Sequence, residues 1–166
     1  MSTSAPTTRG KYFEELEIGE VFVSPARTIT RAHIVNFSCM SGDFNAPHVD
    51  DVFCSQQPYG EVLAHGWMVF GIAAGLTYQT GFQHGRVVAM LGLDKWEIFH
   101  PVKTGDTLHI KITVASKRTT RKPQFGVVQF SRDVINQRGE VVQTTLVPNL
   151  WLRKPTAIEA ASTSPS

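Results

Sequence analysis

Two short segments hold the residue types from which acid–base chemistry is built. Ser41-Gly42-Asp43-Phe44-Asn45-Ala46-Pro47-His48 packs a carboxylate, an amide and an imidazole into six positions, Asp43 to His48, held by Gly42 and Pro47. Leu63-Ala64-His65-Gly66-Trp67-Met68 then sets a glycine where a long apolar helix begins. A carboxylate beside an imidazole can hold one water and pass protons both ways. Each positioned acid or base is typically worth about 10²–10⁴-fold in rate. Asn45 can orient water or substrate without titrating. Gly66, in the first helical turn, offers an amide donor with the positive end of the helix dipole behind it. A carbonyl oxygen gaining negative charge is stabilised there, as in an oxyanion hole.

Each feature alone has a plainer reading. An aspartate after a helix-ending glycine often just bonds nearby backbone amides, a lone histidine is commonly structural, and Gly66 could simply ease the bend into its helix. The combination carries the argument. Pro47 is expected to hold Ala46 extended, aiming the flanking side chains from one rigid loop. Asp43, His48, Asp50 and His65 are near in sequence, but no HExxH pattern or thiolate cluster occurs, so no metal is expected. The absence of GxSxG, GxGxxG and P-loop motifs argues against a serine hydrolase and against a dinucleotide or ATP cofactor.

The elements that must position these residues are legible in outline. The 166 residues suit one domain, and 42% hydrophobic with 18% charged residues describes a globular chain. A net charge of +2 gives no nucleic-acid surface. Cys39 and Cys54 are expected as buried free thiols in a reducing compartment. No secretory signal is apparent, and the apolar stretch from Trp67 to Leu76 is too short for a bilayer. A cytoplasmic protein without membrane or nucleic-acid partners is expected. Residues 1–10 and 156–166 read as loose tails around a folded unit of residues 11–155.

Within that unit Val21-Phe22-Val23 reads as a strand, and Thr30 as the N-cap of a helix over Arg31–Met40 that ends at Gly42. Asp50 or Asp51 caps a short helix through Gln56. Residues Ala64–Thr80 form the main helix, apolar all round and therefore expected to be buried on nearly all sides. Arg86–Leu93, running on toward Phe99, reads as a strand. Leu108, Ile110, Ile112 and Val114 alternate with polar residues in another strand. Gln124–Ile135 and Glu140–Leu152 are joined by a hairpin turn at Asn136–Gly139. The fold class is α+β, a sheet of consecutive antiparallel strands wrapped around one buried helix.

Thr30-Arg31-Ala32-His33-Ile34-Val35-Asn36-Phe37, the D-x-N-x-x-H of Asp43–His48 and the A-H-G of Ala64–Gly66 together resemble the MaoC-like dehydratases, the (R)-specific enoyl-CoA hydratases of hotdog fold. The resemblance extends over about Tyr12 to Leu152. It implies that Asp43 and His48 bind and activate a water and that Asn45 helps position it. It also implies that the Gly66 amide polarises a thioester carbonyl while water adds reversibly and syn across C2=C3 of a trans-2-enoyl-CoA. CoA is then part of the substrate, no separate cofactor is needed, and a homodimer or higher homo-oligomer is expected.

There are departures from the family pattern. Pro follows Ala46 rather than the motif Asn. Trp67 replaces an aliphatic residue; facing the tunnel it shortens the acyl pocket, and otherwise it fills core. His65, Trp67, Arg118 and Arg121 are the candidate substrate-binding residues. The two arginines belong to the run Lys117–Lys122, which reads either as a solvated hairpin end or as a CoA-phosphate site. A hotdog acyl-CoA thioesterase and a subunit that pairs with a similar partner in a hetero-oligomeric hydratase are the alternative functions.

Overall fold

A computed structural model describes residues 10–155, so all of the two expected tails except Gly10 lies outside the described residues. Gly10 itself is buried, with its N–H bonded to the His84 carbonyl. Seven antiparallel strands make one sheet: β1 (Val21–Val23), β2 (Arg27–Thr28), β3 (Val87–Met90), β4 (Lys95–Ile98), β5 (Thr107–Thr119), β6 (Phe125–Ile135) and β7 (Val141–Leu152). The order is β1-β5-β6-β7-β3, with β2 also on β5 and β4 also on β7. Helix α4 (Gly66–Gln79) packs on this sheet, and together they make the α+β hotdog fold.

The alternation in β5 does what its pattern predicts. Leu108, Ile110, Ile112 and Val114 are fully buried, and they meet Met68, Val69, Ala73 and Leu76 of α4 in one core. The next strands add Val128, Phe130, Val134 and Trp151. Gly126 is required where the 3₁₀ turn Phe13–Glu15 lies on β6, because a Cβ there would sit 2.3 Å from the Phe13 ring.

Helix α1 (Arg31–Ser41) starts and stops as expected. The Thr30 hydroxyl accepts from the His33 N–H, and Gly42 closes the helix in the left-handed region at φ 79°. Asp50 caps α3 (Asp51–Ser55) by accepting from the Phe53 N–H at 2.8 Å.

Four expectations are corrected. Ala46 is not extended: Ala46–Val49 forms a helical turn, α2, with Pro47 in its first turn, where a missing N–H costs nothing. The apolar run from Arg86 to Phe99 is two strands, interrupted at Leu91–Asp94 around Gly92. Cys54 is buried but Cys39 is exposed. Finally, α4 is not covered all round. Trp67, Gly71, Ala74, Gly75 and Tyr78 make an exposed stripe along it, because one sheet reaches only one side of a helix.

Candidate active site

One main-chain bond and one side-chain bond tie Leu63, at the start of the second motif, to Pro47 and His48 of the first. The Leu63 N–H donates to the Pro47 carbonyl at 2.9 Å, and His48 Nδ1 lies 2.8 Å from the Leu63 carbonyl. A carbonyl only accepts, so Nδ1 carries the proton. That leaves Nε2 as the ring nitrogen that can exchange a proton, as a general base must.

His65 fixes the other side. It is 2% exposed, and its ring stacks on His48 with centroids 3.7 Å apart. Its Nε2 donates to the Asp43 carbonyl at 3.1 Å and lies 3.3 Å from the Ser38 hydroxyl. Burial holds the His65 imidazole below its ordinary pKa, with the neighbouring His48 acting in the same direction and the Asp43 carbonyl and carboxylate opposing. A neutral ring that braces main chain and His48 is a positioning group.

One donor atom each from Asp43, His48 and His65 lies within 4.8 Å of the others. The three residue types can ligate a metal, but the His65 Nε2 proton is committed to the Asp43 carbonyl, so that nitrogen is unavailable to an ion. Asp50 is occupied as a helix cap. Asp43 is exposed, and one of its oxygens accepts from the Asn45 N–H at 3.2 Å. The second oxygen is left for the cluster. Asn45 stands at the head of α2 with no side-chain capping bond, leaving its amide available.

Beside this cluster is a cavity of about 340 Å³ whose walls include His48, Leu63, Gly66, Val69, Ile98 and Gln143. The loop and the helix terminus thus do meet in one space. Gly66 opens the 14-residue helix, and a Cβ there would sit 2.8 Å from Ile98 Cδ1 and 3.5 Å from the Trp96 ring. Gln143, fully buried on β7, donates Nε2 to the Gly66 carbonyl at 2.9 Å. It is a site residue the motif search missed. Its signal was a polar side chain in phase with Thr145, Val147 and Trp151 on the buried face of the strand. Ser38, buried in α1, left no comparable sign.

The remaining candidates lie elsewhere. Trp67 is 60% exposed, neither core nor among the cavity's walls, and rests on Trp96 with centroids 4.2 Å apart. Arg118 borders a separate hollow with Asp94 and Gln129, and Arg121 is exposed beyond β5. Lys117, from the same basic run, donates to the Leu16 carbonyl and sits over the Phe13 ring.

Residues 14–135 match the family model for the MaoC like domain. Protein MaoC of Klebsiella aerogenes is 40% identical over 114 residues, 69% of this chain and 33% of that protein. The chain thus spans about a third of the length of that relative. The 3-hydroxybutyryl-CoA dehydratase of Methylorubrum extorquens is 29% identical over 66% of this chain and 68% of its own length. The crystal structure of a MaoC-like dehydratase from Rhodospirillum rubrum superposes with a TM-score of 0.78 at 27% identity, covering 89% of this chain and 100% of that one. With His48 of the D-x-N-x-x-H turn lining one cavity together with Ala64 and Gly66 of the A-H-G helix start, the chain belongs to the MaoC-like domain family.

Proposed function

We propose that this chain is an (R)-specific enoyl-CoA hydratase, adding water reversibly and syn across C2=C3 of a trans-2-enoyl-CoA. The observation that carries the reading is the approach of Asp43 to His48, which in turn lines one cavity with Gly66. The thioester carbonyl accepts from the Gly66 N–H, which stabilises the enolate-like charge as it forms. His48 Nε2 and the free Asp43 oxygen hold the water between them. One takes its proton as oxygen bonds to C3, and a proton returns to C2 from the same side, giving syn addition. The likeness to a 3-hydroxybutyryl-CoA dehydratase supports an acyl-CoA substrate.

The working unit on this reading is a homodimer. The second copy covers the exposed stripe of α4 and the apolar edge strand β3, where Val87, Val88 and Met90 are all exposed. The chain runs its chemistry on its own side chains, with CoA as part of the substrate.

The test is crotonyl-CoA followed by the loss of enone absorbance, with a thiol reagent in a parallel cuvette. Absorbance loss without thiol release supports hydration. Thiol release would move the reading to the thioesterase class.

A further inference from the structure

Gln143 touches Gly66 and adjoins the stretch of chain that forms the cavity's mouth. His100 and Pro101 line both the cavity and an open polar hollow at the surface, so the cavity opens past them. That stretch is held to β7. Ile98 pairs with Gln143, and the Phe99 N–H donates at 2.9 Å to the carbonyl of Val142, the residue before Gln143. Gln143 is itself among the cavity's walls, and its Nε2 donates to the Gly66 carbonyl. A group running from Gly66 to the mouth therefore passes Gln143.

Only half of the Gln143 amide is used by the protein. A carbonyl only accepts, so the nitrogen is the atom that faces Gly66, and Oε1 is the other end. Oε1 is buried, with no hydrogen-bond partner among the described residues, on a side chain 1% exposed. A buried acceptor left unpaired is unfavourable, and an uncharged amide oxygen calls for an N–H or O–H donor.

We propose, resting on the hydratase reading above, that Gln143 binds the arm that carries the acyl group. Its Oε1 accepts from the first amide N–H of CoA's pantetheine arm, two carbons from the thioester sulfur. The two substituents of a thioester carbonyl carbon diverge. With the carbonyl oxygen at the Gly66 N–H, C2 and C3 face His48 and Asp43, and the sulfur is directed away from them. A cavity of about 340 Å³ is too small for the nucleotide and the arm as well, so the arm leaves through the mouth beside Gln143. The first donor along it is this amide. One side chain then holds both the residue that polarises the carbonyl and the arm that delivers it.

A pair of saturated thioesters tests the proposal without turnover. One is butyryl-N-acetylcysteamine, which carries the amide N–H. The other is its ester isostere, in which oxygen replaces that N–H. In NMR titrations the wild-type protein is expected to bind the amide roughly ten-fold tighter than the ester, because a site built to accept from an N–H rejects the analogue that lacks it. Q143M and Q143L should each bind the two equally. Both analogues lose the Gly66 bond alike in these variants, so the ratio isolates Oε1. Equal affinities in the wild type overturn the proposal, as does a preference that the substitutions leave intact. Crotonyl-CoA hydration separates the two readings. Hydration without an amide preference sinks the arm site alone, whereas a preference lost in Q143M without any hydration keeps the site and sinks the hydratase.

Discussion

His48 owes its proton arrangement to one main-chain acceptor, the Leu63 carbonyl, and Gly66 owes its usefulness to what it lacks. A methyl at position 66 would press on Ile98 at 2.8 Å and fill the cavity beside the amide. Ile98 is 55% exposed and can yield, so Gly66→Ala should fold normally. It should nevertheless lower kcat/KM about ten-fold or more, equivalent to about 1.4 kcal/mol of lost transition-state stabilisation. Steady-state kinetics alongside a melting curve check both halves. His65 gives a pH prediction. Its folded pKa lies below the unfolded value of about 6.5. Above that pH both states are neutral and the residue contributes nothing to the pH dependence. Below it the unfolded chain binds the proton and the folded one resists, so stability falls as pH drops. Melting temperatures recorded from pH 7.5 to 5.5 should decline, and His65→Gln should flatten the decline.

At the scale of elements, Asp43 is aimed by the way α1 ends. Gly42 adopts φ 79°, and a Cβ there would meet nothing within 4 Å, so the cost of a side chain is purely one of backbone. Gly42→Ala should destabilise by roughly 1–2 kcal/mol in chemical denaturation and also reduce activity, since it displaces Asp43. An equal loss of stability with full activity would disconnect that turn from the site. The ends of α1 were legible in the sequence because Thr30 and Gly42 are local signals. So were the alternation of β5 and the glycine-marked hairpin between β6 and β7. The α2 turn was not, because a proline preceded by alanine reads equally as extended chain or as a first helical turn. Gln143 escaped notice for another reason. Its strand was read by its apolar residues, although Gln143 shares their buried phase. The gap between β3 and β4 was hidden by a continuously apolar run.

At the scale of the whole molecule, the bare side of α4 and the exposed apolar edge strand β3 are the faces that the proposed dimer covers. Trp67, Gly71, Ala74, Gly75 and Tyr78 on α4 and Val87, Val88 and Met90 on β3 are exposed together in the single chain. Light scattering after size exclusion should give twice the chain mass of 18.4 kDa at micromolar concentration. A mass of 18.4 kDa would leave those faces without an occupant and remove the dimer. No described helix is long and apolar enough to cross a membrane.

On the proposed function, Asp43 and His48 act together on one water. The most direct measurement is kcat for crotonyl-CoA hydration by the wild type, Asp43→Asn and His48→Gln, each checked for an unchanged circular dichroism spectrum. Each folded variant is expected to lose about 100-fold or more, and the wild-type product to have the (R) configuration. Two folded variants that hydrate crotonyl-CoA at the wild-type rate would contradict it.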